Sequence, residues 1–199
     1  MVWRATSSTP GVSLTPSIVR RVEEGATGVN YSHNGLYIAY TNNAGETPEV
    51  VIMNLNSSTI PLAGEIRCRP RGLEEIAQVQ WSPNDSLLII YDGDFCAYVH
   101  NPLTGEQIGE CIENVPNSNH LSWNNNGDAI CYVGSGQNNQ ANCVIIRKLL
   151  TGEDIIFVCG KPNDWFINAD WSPDGTKICT MCHYGSTQKA KIQIWDVSL

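Results

Sequence analysis

The chain has 199 residues and a formal charge of −8, with 42% hydrophobic and 16% charged side chains. That acidic balance argues against nucleic acid and anionic membrane as partners, because phosphate binding needs clustered Lys and Arg. No apolar run approaches the roughly 18 residues of a membrane span, and Met1-Val2-Trp3-Arg4 begins no basic-then-apolar leader, so an intracellular, cytoplasmic protein is expected.

Residues 1–26 form an N-terminal segment: a strand candidate at Met1 to Ala5, a Ser/Thr/Pro/Gly-rich loop to Pro16, and a second strand candidate over Ser17 to Val22. From about residue 27 a pattern begins that recurs to the end. Its first copy, about 27–66, has the turn Tyr31-Ser32-His33-Asn34-Gly35, the apolar run Tyr37 to Tyr40, a loop over Asn42 to Pro48, and the run Val50 to Met53. The only basic cluster follows, Arg67, Arg69 and Arg71, and reads as a solvated loop.

The second copy, about 76–113, has Trp81-Ser82-Pro83-Asn84-Asp85, Leu87 to Ile90, a short hairpin at Asp92-Gly93-Asp94, and Ala97 to Val99. The third, about 118–159, has Trp123-Asn124-Asn125-Asn126-Gly127, Ala129 to Tyr132, an Asn/Gln/Gly-rich insertion over Gly134 to Asn142, and Val144 to Ile146. Copies two and three share a further Leu-Thr-Gly-Glu turn, at Leu103 to Glu106 and Leu150 to Glu153. The fourth, about 167–199, has Trp171-Ser172-Pro173-Asp174-Gly175, Ile178 to Met181, and the alternating strand Ile192-Gln193-Ile194-Trp195 before Asp196. In each turn a small polar residue follows the aromatic, and Pro or Gly supplies the backbone geometry of a tight reversal.

The turn aromatics are spaced 81−31 = 50, 123−81 = 42 and 171−123 = 48 residues apart. A period in the forties with several strands and one turn signature per unit predicts an all-β fold, a β-propeller with about four blades of antiparallel strands. It is a complete small ring or part of a larger one. In the first case Ile18 to Val22 would supply the missing outer strand of the last blade. In the second, unpaired edges favour self-association.

With these turns and Trp195-Asp196, residues 27–199 resemble the WD-repeat propellers. They are also similar to the TolB-like propellers, which share the aromatic-Ser-Pro-Asp-Gly turn. The repeats are degenerate against the WD pattern. None carries a Gly-His pair, and Met53-Asn54, His100-Asn101 and Lys148-Leu149 stand at the Trp-Asp position. The resemblance implies a fold and leaves function open, since one propeller scaffold hosts many functions.

Chemistry-bearing motifs are sparse. The eight cysteines fall mostly within apolar runs, which points to free, buried thiols in a reducing compartment. Cys179-Thr180-Met181-Cys182-His183 matches a haem-attachment spacing, but on a strand positions three apart point to opposite faces. His33, His100, His120 and His183 show no metal-ligand spacing. Asp92, Asp94, Asp170 and Asp174 sit in or beside turns, where carboxylates bond nearby amides. The sequons at Asn30, Asn56 and Asn84 matter only in a secreted chain, and two of them overlap the turns.

The expectation is therefore a non-catalytic protein without cofactor or metal, a propeller scaffold for protein–protein interaction within a multi-subunit assembly. Two alternatives stand beside it: a TolB-like propeller flanking or gating a hydrolase, and a half-ring subunit completed by oligomerisation. The candidate protein contact is the aromatic segment Asn163, Asp164, Trp165 and Phe166, placed just ahead of the last blade's inner strand. Packing of Trp165 between blades is the competing reading.

Overall fold

The computed structural model describes residues 2–4, 17–20, 25–56, 65–70, 73–92, 96–113, 115, 121–135, 142–161, 164–184 and 190–198. Asn163, Arg71, His120 and most of the Gly134–Asn142 insertion lie outside the described residues.

Two short strands, β1 (Val2–Arg4) and β2 (Ser17–Arg20), pair antiparallel with each other. Blade one is a four-stranded meander of β3 (Val29–Tyr31), β4 (Tyr37–Asn42), β5 (Glu49–Asn54) and β6 (Ile66–Cys68). Blade two holds β7 (Ile76–Trp81), β8 (Leu88–Asp92) and β9 (Ala97–His100). Its outer edge is a bridged segment in which Gln107 lies opposite His100 and Ile112 opposite Ala97. Blade three has four strands, β10 (Leu121–Trp123), β11 (Ala129–Ser135), β12 (Asn142–Lys148) and β13 (Glu153–Cys159). Blade four has three among the described residues, β14 (Asp164–Trp171), β15 (Lys177–Tyr184) and β16 (Ala190–Asp196). The segment expected to finish this blade, β2, is bonded to β1.

One turn chemistry explains why four dissimilar sequences make the same first hairpin. In each, the residue after the aromatic ties the turn both ways. Ser32 N–H donates to the Tyr37 carbonyl at 3.0 Å, and Tyr37 N–H donates back to Ser32 Oγ at 2.9 Å. Ser82 does the same with Leu87, Asn124 with Ala129 through Oδ1, and Ser172 with Lys177. The fifth turn residue is left-handed in all four: Gly35 at φ 70°, Asp85 at 57°, Gly127 at 72° and Gly175 at 70°. Asp85 is the one non-glycine residue with positive φ among the described residues.

Among the described residues the apolar side chains between blades gather into three seam clusters rather than one core. Ala39, Val50, Ile52 and Cys68 of blade one meet Ile76, Val79, Trp81, Leu88 and Ile90 of blade two. Leu87, Ile89, Tyr91 and Val99 meet Leu121, Trp123, Ile130 and Tyr132 of blade three. Cys131, Val133, Val144 and Ile146 meet Phe166, Ala169, Trp171 and Ile178 of blade four. Polar clamps flank two seams. The Asn43 amide holds both backbone groups of Ile76, at 3.0 and 2.9 Å. The Asn142 amide does the same for Phe166, at 2.6 Å each.

Two expectations need correction. Cys143 and Cys159 are not free thiols; they form a disulfide between directly opposed residues of β12 and β13. Arg67 and Arg69 are not simply solvated: both pair with Glu49, a buried carboxylate, and Arg67 also pairs with Glu65. A buried charge left alone is costly, so the two guanidinium groups are committed to Glu49.

Candidate interaction face

Strand alternation assigns every residue of blade four to one of two faces. Ile178, Thr180 and Cys182 on β15, with Phe166, Ala169 and Trp171 on β14, are buried toward blade three. The opposite face carries the intervening residues. A bulge at Ile167 shifts the register so that Asn168, Met181 and Ile192 form one cross-strand row and Asp170, Cys179 and Ile194 the next. Trp165 and His183 are paired at the end of the same two strands. Nothing among the described residues packs onto this face. Ile192 is 68% exposed, Ile194 70% and Trp165 61%, and Cys179 is exposed as well. Large apolar side chains gathered on one sheet face are informative where scattered ones are not.

The inner strands add a directional signal. In blades one and three the residue before the turn aromatic bonds the next blade. Asn30 Oδ1 accepts the Trp81 N–H at 2.9 Å, and Ser122 Oγ accepts the Trp171 N–H at 3.0 Å. Asp170 holds this position in blade four. One of its oxygens takes the Ser122 hydroxyl at 2.5 Å, and the carboxylate is otherwise on the exposed face. At the other end of the row, blade one exposes Val29 and Tyr31, and Tyr31 occupies the position of Trp81 and Trp171.

The expected contact segment is divided by this geometry. Trp165 and Phe166 belong to β14 itself rather than to a loop ahead of it. Trp165 lies on the open face, and Phe166, 5% exposed, is built into the seam with blade three. Asp164 begins the strand, its N–H bonded to the Lys161 carbonyl at 2.8 Å. Ile192, Ile194, Met181, Cys179 and Asp170, which the sequence offers as strand or turn residues and not as contacts, share this face with Trp165. The alternation of Ile192 and Ile194 was legible, but the side it faces depends on which neighbour is present. The Cys179 and Cys182 thiols point to opposite faces, one exposed and the other buried.

Two of the crevices among the described residues lie elsewhere. One of about 640 Å³ lies where the turns of blades three and four meet, lined by Asn124, Asn126, Lys148, Trp171 and Asp174. The other, of about 730 Å³, lies between the outer edges of blades one and two, beside Arg67, Arg69, Tyr98, Gln107 and Cys111. Among the described residues no three His, Cys, Asp or Glu side chains are placed to hold a metal. No helix among them is long and apolar enough to cross a membrane.

No protein-family model and no curated protein sequence matches this chain. Solved structures do. A putative TolB from Agrobacterium tumefaciens aligns with a TM-score of 0.59 at 17% identity, over 92% of this chain and 62% of that one. TolB from Acinetobacter baumannii aligns at 0.58 and 16%, over 92% of this chain and 43% of its own. Hydrazine synthase of Kuenenia stuttgartiensis aligns at 0.56 and 12%, over 94% of this chain and 54% of its own. The chain thus spans roughly half the length of these neighbours. At such identities the likeness is one of fold: an all-β, at least partial β-propeller of the kind seen in TolB-like proteins.

Proposed function

We propose that this chain is a non-catalytic assembly module whose open blade-four face receives blade one of a second copy, so that two chains close one ring. The observation that carries the reading is the apolar face itself, with Trp165, Ile192 and Ile194 each more than half exposed on one side of one sheet. At the opposite end of the row the inner-strand edge of blade one, Val29 and Tyr31, is exposed, while Ile38, Val51 and Met53 farther out on the same face are buried, so the second copy would engage that edge. The Tyr31 N–H would take Asp170 as Trp81 takes Asn30. Four blades from each of two copies make eight, the upper end of the common range. A head-to-tail contact of this sort gives a closed ring only if the rotation closes, and an open filament otherwise.

The energetics favour closure. Covering the exposed parts of Trp165, Ile192 and Ile194 contributes on the order of 1–2 kcal/mol each, or about 5 kcal/mol per seam before costs. Association costs at least about 4 kcal/mol in lost translation and rotation. One seam is therefore marginal. A ring forms two seams while losing that freedom once.

Sedimentation equilibrium of the purified chain tests this. The expected mass is twice the 21.9 kDa of the chain, falling to the single-chain mass in Ile194→Asp. Circular dichroism of the variant serves as the folding control. A parent chain that stays at its single-chain mass at tens of micromolar overturns the proposal, as does an Ile194→Asp variant that is folded and still dimeric.

A further inference from the structure

Blades two and three carry the same outer turn 47 residues apart, Leu103 to Glu106 and Leu150 to Glu153 (150−103 = 47). The same step from the disulfide-bonded Cys143 leads back to Cys96 (143−47 = 96). Its partner Cys159 maps to within one residue of Cys111, and β13 has a bulge just beyond, opposite Val144 and Ile145. In blade two, Ala97 and Ile112 exchange both backbone hydrogen bonds, Ala97 N–H to Ile112 O at 3.0 Å and the reverse at 2.8 Å. Cys96 and Cys111 each precede one member of that pair, so their side chains share the other face of the ribbon, diagonally placed. Each thiol lies within the other's electrostatic reach. Blade one keeps half of the arrangement, with Cys68 facing Val50.

We infer that Cys96 and Cys111 are a second disulfide site, the blade-two counterpart of Cys143–Cys159, closed by thiol–disulfide exchange with a small-molecule disulfide such as that of glutathione. Both thiols are half-buried rather than sealed, and Cys111 lines the crevice between blades one and two. Burial, then the Asp92 carboxylate, with Cys111 and Glu113 adding to it, push the Cys96 thiol up to about 11. Cys111, which lines the open crevice, makes the first attack, as a thiolate. Its thiolate attacks one glutathione sulfur, forming a mixed disulfide and releasing a glutathione thiolate that takes up a proton. Cys96 then gives its proton to solvent, attacks the Cys111 sulfur and expels the second glutathione. Two protein thiols lose two electrons and two protons, and one glutathione disulfide leaves as two thiols. Diagonal strand neighbours lie about 7–8 Å apart, just beyond the usual span of a bridge, so the ribbon must draw together as the bond forms.

The test is exposure of the folded chain to glutathione disulfide, followed by thiol titration in denaturant and peptide mapping without reduction. Cys96 and Cys111 should disappear from the six free thiols into one new cross-linked peptide pair, whereas Cys179, exposed on blade four, can form only a glutathione adduct that reduction removes. In Cys96→Ser, Cys111 should be trapped as a stable glutathione adduct. The parent map decides the matter even if that variant does not fold. Recovery of Cys96 and Cys111 as separately alkylated thiols, or as two independent glutathione adducts, overturns the inference.

Discussion

Replacing Asp85 by glycine sets two local effects against each other, and the structure indicates which wins. Asp85 is left-handed at φ 57°, a conformation that glycine adopts without penalty. Relief of that strain is worth up to about 1 kcal/mol. Glycine also frees the unfolded chain, which returns about 0.4–1 kcal/mol in the other direction. The backbone terms therefore roughly cancel. The side chain decides. Its two oxygens accept the N–H groups of His33 at 2.6 Å and Asn34 at 2.8 Å, joining the turns of blades one and two. Bonds to a charged acceptor are worth about 1.5–3 kcal/mol each when shielded. These are partly exposed, so about 1 kcal/mol each is the fair figure, or about 2 kcal/mol in all. For a chain of this size that lowers the melting temperature by roughly 4–8 °C. Asp85→Asn, with a single acceptor oxygen, should fall about half as far. Thermal melts followed by circular dichroism would show the series. If Asp85→Gly melts at or above the parent, backbone strain outweighs the inter-blade bonds and the reasoning fails.

Two further outcomes follow from the turns. Hydrogen bonds from Ser172 and from the Thr176 amide and hydroxyl hold the Asp174 carboxyl down to about 2. The folded value lies below the unfolded one, so this contribution is present above about pH 4 and is lost as pH falls toward 2. Asp174→Asn should flatten that part of the melting temperature–pH curve; an unchanged acid limb would exclude the linkage. Gly105 is left-handed at φ 76°, and a Cβ there would meet the Arg67 carbonyl oxygen at 2.5 Å, across the seam between blades one and two. Gly35 is also left-handed, at φ 70°, but a Cβ would meet nothing within 4 Å. Gly35→Ala should therefore cost about 1 kcal/mol from backbone strain alone. Gly105→Ala should cost a further 1–3 kcal/mol, on the order of an overpacked site. Equal costs in a denaturant titration would contradict the close approach.

The blades were legible because their information is local. A Ser or Asn five residues before its partner closes the turn whatever the rest of the chain does, as at Ser32 and Tyr37. Strand runs such as Leu87 to Ile90 are apolar on both sides because both sides are buried. What sequence reading missed depends on register and on neighbours. Pairing of Cys143 with Cys159 requires the β12–β13 register, including its bulge. The commitment of Arg67 and Arg69 to Glu49 joins side chains 18 and 20 residues apart. Trp165 and Phe166 are adjacent and equally apolar, yet alternation sends one to the open face and the other into a seam. Ile192 and Ile194 read as buried until it is known that no blade covers them among the described residues.

Because the apolar packing is divided into three seams, each drawn from two neighbouring blades, the molecule behaves in series rather than as a single block. Its descent is open to change in whole units. Duplicating or excising one blade leaves every remaining seam with both of its sides. Residues at one seam can also drift without compensation at another, and loop lengths between turns can wander. Spacings of 50, 42 and 48 residues around an identically bonded turn are what such a history leaves behind.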